Sequence, residues 1–310
     1  GNPGDAASWR SDEFNADWGL AAMGANYAYA RGLTGKGVRL AVFDSGSALV
    51  HQEFTGRNSS SITIGPTCAS PGTIKGADAC AQTRGDQPGY NYTGFDSNLS
   101  ATDIAFLKSH NISEGLTYAD HGTHVLGTIV ANRDGNGMHG VAFNSDFTVA
   151  RIFGDTYYEW YKIPNSNPDS YNRRTQARTD PDDTATLEMY AQLDAQGVRA
   201  INHSWGYATT SKTAADLDTD YQKYKSGIAV YASIYDNTPA KAGSQLLQVW
   251  SAGNGSGAFA GITASLPRWE QDVEPYWLAV ANVRLPDAAK GETNFVISGG
   301  SSICGAAANW

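Results

Sequence analysis

Apolar positions along this chain change their spacing several times, and each change marks a switch between helix and buried strand. From Leu20 to Arg31, Met23, Tyr27 and Ala30 recur at helical spacing, and Gly32 supplies a left-handed stop. After Thr34-Gly35-Lys36-Gly37, the run Val38 to Phe43 is short and mostly apolar, as in a strand buried within a parallel sheet, and it ends at Asp44-Ser45-Gly46. A helix is expected from His121. Val125, Leu126, Ile129 and Val130 form its apolar face, and Gly122 and Gly127 allow a second backbone to come close. Phe147 to Phe153 reads as the next strand. A helix from Asp183 through Leu187, Tyr190, Ala191 and Leu193 to Gly197 then delivers Val198 to Asn202 as a third strand. A helix over Ala214 to Tyr224 precedes two more strands, Ile228 to Ser233 and Leu246 to Ala252.

Two polar stretches, about residues 52–118 and 154–181, interrupt the pattern and are longer than ordinary connections, so they read as looped insertions outside the core. The second carries Tyr157, Tyr158, Trp160, Tyr161 and the pair Arg173-Arg174. The remaining alternation of strand and helix predicts a three-layer α/β fold, a mostly parallel sheet with helices on both faces. No linker or composition break divides the 310 residues, so one domain is expected over 1–310. Working residues in such sheets gather at the carboxyl ends of strands. Those ends read Asp44-Ser45-Gly46, Asn202-His203-Ser204-Trp205-Gly206 and Ser251-Ala252-Gly253-Asn254-Gly255.

Composition narrows the function classes. A formal net charge of -9 without any Lys/Arg cluster argues against a nucleic-acid partner, and no apolar window is long enough for a membrane span. Cys68 and Cys80 lie in the first insertion, where a disulfide would close a short loop, and they read as a pair formed in an oxidising compartment. Cys304 is left over, which points to a partner outside these residues. No Cys-x-x-Cys or His-rich set occurs, and His121 and His124 have neither a Glu between them nor a third His nearby, so no metal is expected. Nothing in the sequence supports a structural calcium site or another cofactor.

Four segments, taken in order, resemble the subtilisin-like serine proteases, the subtilases. Val42-Phe43-Asp44-Ser45-Gly46 followed by His51-Gln52-Glu53-Phe54 resembles the aspartate segment, and His121-Gly122-Thr123-His124-Val125-Leu126-Gly127-Thr128 resembles the histidine motif. Asn202-His203-Ser204-Trp205-Gly206 resembles the strand beside bound substrate, and Ser251-Ala252-Gly253-Asn254 the segment bearing an oxyanion-hole asparagine. The resemblance implies a subtilisin-like fold and peptide-bond hydrolysis, with protein or peptide substrates. His121 would be the general base, Asp44 would orient it, Asn254 would donate to the oxyanion, and His124 would be structural. It also implies a primary pocket walled by Ser204, Trp205 and Gly206 on one side and Ser251, Ala252 and Gly253 on the other.

One departure is large. The family's nucleophile lies in a Gly-Thr-Ser-Met-Ala type motif, and no such motif occurs here. Ser301 and Ser302 are rejected as substitutes, because Ser298 to Trp310 resembles the stretch that precedes the nucleophile in secreted autotransporter passenger proteases of Gram-negative bacteria, where a second cysteine follows. The expectation is a secreted or cell-surface serine endopeptidase whose serine, together with a cysteine partner for Cys304, lies beyond Trp310. The alternative is a subtilase-like module without hydrolytic activity, or an inactive fragment. A different α/β hydrolase is disfavoured, since no Gly-x-Ser-x-Gly elbow occurs.

Overall fold

Gly24 adopts a left-handed backbone, with φ of 70°, and this one residue splits the first predicted helix in two. The computed structural model describes residues 1–65, 73–74, 77–78, 83–166, 168–178, 180–207, 210–235 and 245–304. Its residues fall into two units, Gly1–Lys36 with Asp44–Met189, and Gly37–Phe43 with Tyr190–Trp310. The first unit opens with α1 (Asp12–Ala16), α2 (Trp18–Ala22) and α3 (Ala25–Ala30), the first two capped by the side chains of Ser11 and Asp17. The expected apolar face is corrected as well. Met23 and Tyr27 are 61% and 67% exposed, while Phe14, Leu20, Ala25 and Tyr29 pack with Phe143. Once Gly24 turns the chain, helical spacing no longer runs through it, and Leu20 and Tyr29 become the inward positions.

The parallel strands at Arg39–Asp44, Asp146–Arg151, Val198–His203 and Leu247–Ser251 fall where short apolar runs predict them, while those at Ser59–Ser61 and Trp277–Val280 lie outside those runs; the fold is α/β with a mostly parallel sheet and helices. In the second unit, β1 (Arg39–Asp44) contributes its first five residues, and parallel neighbours follow in the order β10, β9, β8, β1, where β8 is Val198–His203, β9 is Leu247–Ser251 and β10 is Trp277–Val280. Trp250 on β9 is fully buried, lies opposite His203 and stacks on it with ring centroids 3.9 Å apart. Ile228 to Ser233 is not a strand. It is the last part of α7 (Ala214–Ser233), whose buried residues Leu217, Tyr221, Ile228 and Tyr231 recur at helical spacing. A short apolar run read alone fits either element, and here the longer helical period decides.

In the first unit, β2 (Ser59–Ser61) pairs parallel with β5 (Asp146–Arg151). The two insertions are not simply loops. They build a second, four-stranded sheet in the order β7, β6, β3, β4, from β3 (Tyr90–Phe95), β4 (Gly115–Tyr118), β6 (Thr156–Lys162) and β7 (Tyr171–Arg178). Cross-strand aromatic pairs supply its apolar content, for example Tyr92 with Tyr157 at 5.5 Å and Tyr90 with Tyr118 at 5.3 Å. Helix α4 (Ala101–Ser109) packs on this sheet. Its Ser100/Asp103 capping box leaves Asp103 Oδ1 free to accept from Tyr171 Oη at 2.6 Å and Lys162 Nζ at 3.3 Å. Helix α5 (His121–Val130) directly follows β4, and α6 (Asp183–Ala195) precedes β8. None of the described helices is long and apolar enough to cross a membrane.

Candidate active site

Asp44 ends β1 and His121 begins α5, and their side chains meet. His121 Nδ1 lies 2.8 Å from Asp44 Oδ1. A carboxylate only accepts, so Nδ1 carries the hydrogen and Nε2 keeps a free lone pair. The Asp44 side chain is 1% exposed and that of His121 is 59% exposed, so a buried anion holds an imidazole whose other face is open to solvent. The hydrogen bond to Asp44 raises the His121 pKa above the ordinary 6.5; partial burial opposes this, and the charges of Asp44 and Asp120 add to it. Asp44 Oδ1 also accepts the Ser45 N–H at 2.7 Å, while Oδ2 is buried without a partner among the described residues.

Ser45 fixes the geometry around this pair, a role the linear sequence does not signal. Its Oγ donates to Ala119 O at 2.9 Å and accepts from Gly122 N at 2.9 Å, so one hydroxyl ties the chain before His121 to the first turn of α5. Ser47 Oγ donates to Gly122 O at 3.1 Å, and Ala48 N donates to Thr123 Oγ1 at 2.9 Å. Gly122 is required sterically. A Cβ there would overlap the Gly46 carbonyl oxygen and sit 3.2 Å from Asp44 Cβ. Gly127 meets nothing within 4 Å, so the expected backbone approach holds at one glycine of α5 and not at the other. His124 is exposed and borders a 340 Å³ cavity with His51, Glu53 and Met138.

The second unit holds the other predicted site segments. Asn254 is exposed and makes no hydrogen bond among the described residues. Its turn is pinned by Ser302, whose N–H donates to Gly253 O at 2.8 Å and whose Oγ accepts Gly255 N at 3.0 Å. Ser301 and Ser302 are each 2% exposed and held in hydrogen bonds. Trp205 turns its indole inward, donating to Phe43 O at 2.6 Å and packing on Trp250, while Gly206 is exposed. Ser251 Oγ donates to Trp205 O at 3.4 Å, linking the two pocket segments, and the buried Ala252 N–H donates to Val280 O at 2.8 Å. Asn202 Nδ2 donates to Ser204 Oγ at 2.9 Å.

Cys68 and Cys80 lie outside the described residues. Cys304 has no disulfide partner among the described residues, and burial pushes the pKa of its thiol up. Among the described residues, no group of three His, Cys, Asp or Glu side chains is placed to hold a metal ion.

A buried carboxylate that holds an imidazole by Nδ1 equips the exposed Nε2 to take a proton from a hydroxyl. The chain belongs to the subtilase (peptidase S8) family, whose family model matches residues 35–307. It is 30% identical over 218 residues to an extracellular serine protease of Serratia marcescens, a match spanning 70% of this chain and 14% of the relative. A probable subtilase-type serine protease of Deinococcus radiodurans is 28% identical over 196 residues, spanning 62% of this chain and 20% of that one. The chain thus matches only a small part of these curated relatives. Among solved structures, fervidolysin from Fervidobacterium pennivorans, a keratinolytic enzyme related to subtilisin, aligns over 96% of this chain and 31% of that chain at 19% identity, with a TM-score of 0.48.

Proposed function

We propose that residues 1–310 carry the acid–base half of a secreted serine endopeptidase of the autotransporter passenger type, most of one catalytic domain. The observation that carries this reading is the 2.8 Å bond between buried Asp44 and half-open His121. His121 Nε2 takes the proton of a serine hydroxyl as that oxygen attacks the peptide carbonyl, then returns it to the leaving amine. Asp44 holds the ring in this tautomer and stabilises the imidazolium. Asn254 donates its side-chain amide to the oxyanion; its exposed, unpartnered side chain supports the role. Backbone groups of Ser204, Trp205, Gly206, Ser251, Ala252 and Gly253 flank the primary pocket, because the Trp205 indole is engaged elsewhere.

No segment of the 310 residues carries the family's nucleophile motif, so the reading assigns the serine, and a cysteine partner for Cys304, to sequence outside them. Export is supported by the extracellular Serratia relative and by the placement of Cys68 and Cys80, which we propose form a disulfide. The test is labelling of the intact gene product with a fluorophosphonate probe. One serine should label in the unaltered protein and lose labelling in His121→Ala. Absence of any His121-dependent labelling would leave the non-catalytic module as the reading.

A further inference from the structure

The second sheet has two edges, and they are built differently. Outer strand β7 presents Arg173 and Arg174 and has a register shift against Tyr157/Tyr158, both devices that discourage a further strand. The opposite edge, β4, reads Gly115-Leu116-Thr117-Tyr118, carries no charge, and leaves Leu116 46% and Tyr118 60% exposed.

Backbone geometry shows which groups face outward from β4. Antiparallel neighbours alternate between hydrogen-bonded and non-bonded pairs. Ala119 N donates to Gly89 O at 2.8 Å, which makes Thr117/Asn91 the next bonded pair and leaves Tyr118/Tyr90 and Leu116/Tyr92 as the non-bonded ones. Consistent with this, Tyr90 N turns away from β4 and donates to Asp155 Oδ1 at 2.8 Å. The N–H and C=O of Leu116 and Tyr118 therefore point away from the sheet, and no loop or side chain among the described residues takes them. Behind them lies an aromatic row, with Tyr118 against Tyr90 and Tyr92 against Tyr157. Ala119 O, at the end of β4, is held by the same Ser45 hydroxyl that receives Gly122 N, so the open edge and His121 are mounted on one anchor.

We propose that β4 is a second peptide-binding edge, to which an extended stretch of polypeptide substrate adds as a fifth strand. The backbone of Leu116 and Tyr118 supplies the hydrogen bonds, and the tyrosine row favours apolar or aromatic side chains at alternate positions of the peptide. Exposed Glu114 and Asp120 bracket the edge and repel an acidic peptide. That the peptide is a substrate rests on the peptidase reading; that the edge binds it does not.

The test is residue-resolved amide hydrogen exchange on the intact gene product bearing His121→Ala, so that peptide is not cut. The probe is a synthetic peptide alternating Ser with Leu and Tyr. The amides of Leu116 and Tyr118 should slow about tenfold or more on adding it, while Thr117, already bonded inward, should not change. Tyr118→Lys, which leaves the backbone intact and places a charge on the edge, should weaken peptide binding about tenfold. Unchanged exchange at both amides under saturating peptide would overturn the proposal. Slowing at both amides in a protein that shows no His121-dependent serine labelling would keep the peptide edge and remove the peptidase reading.

Discussion

Asp44 uses its two oxygens unequally. Oδ1 accepts from the Ser45 N–H and from His121, whereas Oδ2 is buried and has no partner among the described residues, so the carboxylate holds the ring through one oxygen. An amide at this position can rotate its NH₂ toward Nδ1 and force the hydrogen onto Nε2, which removes the base. Asp44→Asn should therefore lower kcat by about 10⁴-fold on a peptide substrate of the intact protein. The pH dependence follows from the direction of the His121 shift. Its pKa is raised above 6.5, chiefly by the Asp44 hydrogen bond, so the neutral base is lost as pH falls through a midpoint above 6.5. In Asp44→Asn the residual activity should show that midpoint moved downward, since the raising interaction is gone and the burial remains. An unmoved acid limb would mean that another group titrates there. Asn254→Ala should cost about 10²–10³ in kcat with little change in KM, the usual effect of one oxyanion donor, and a raised KM with kcat unchanged would mark it as a ground-state binding residue instead.

Two glycines of α5 look alike in the sequence and differ once the helix is packed. Gly122→Ala would push a methyl group into the Gly46 carbonyl and against Asp44, so it should destabilise the protein by about 1–3 kcal/mol and reduce turnover by displacing His121. Gly127→Ala meets open space within a helix interior, and should stabilise by about 0.5–1 kcal/mol in urea denaturation. Stabilisation by both, or destabilisation by both, would contradict the packing described. The same contrast explains what was legible beforehand. Buried parallel strands announce themselves as apolar runs ending in Gly and small polar residues, so the ends of β1, β8 and β9 and the start of α5 could be read directly. The second sheet could not, because its strands are rich in tyrosine mixed with polar side chains and acquire their meaning only across the strand, as Tyr92 does against Tyr157. The Ser45 bridge was invisible for a similar reason: its partners, Ala119 and Gly122, are more than seventy positions away.

Over the whole molecule, the buried His203 lies outside the proposed chemistry and links stability to acidity. His203 is fully buried between Trp250, stacked at 3.9 Å, and the edge-on rings of Phe43 and Trp205, and among the described residues neither ring nitrogen has a hydrogen-bond partner. Burial holds its pKa well below the ordinary 6.5, with the Gln248 side chain opposing in part, so the folded protein keeps this ring neutral. The unfolded chain binds a proton there below about pH 6.5 more readily than the folded chain does, so stability falls as pH drops below that value. Above that pH the term vanishes, because both states are neutral. His203→Phe removes the titration while keeping an aromatic ring in the stack. Urea midpoints followed by tryptophan fluorescence should then lose part of their acid sensitivity below about pH 6.5, with little change in slope near pH 8. Identical acid slopes in the two proteins would mean that His203 is protonated in the folded state, and so that water or an acceptor reaches the core beside Trp250.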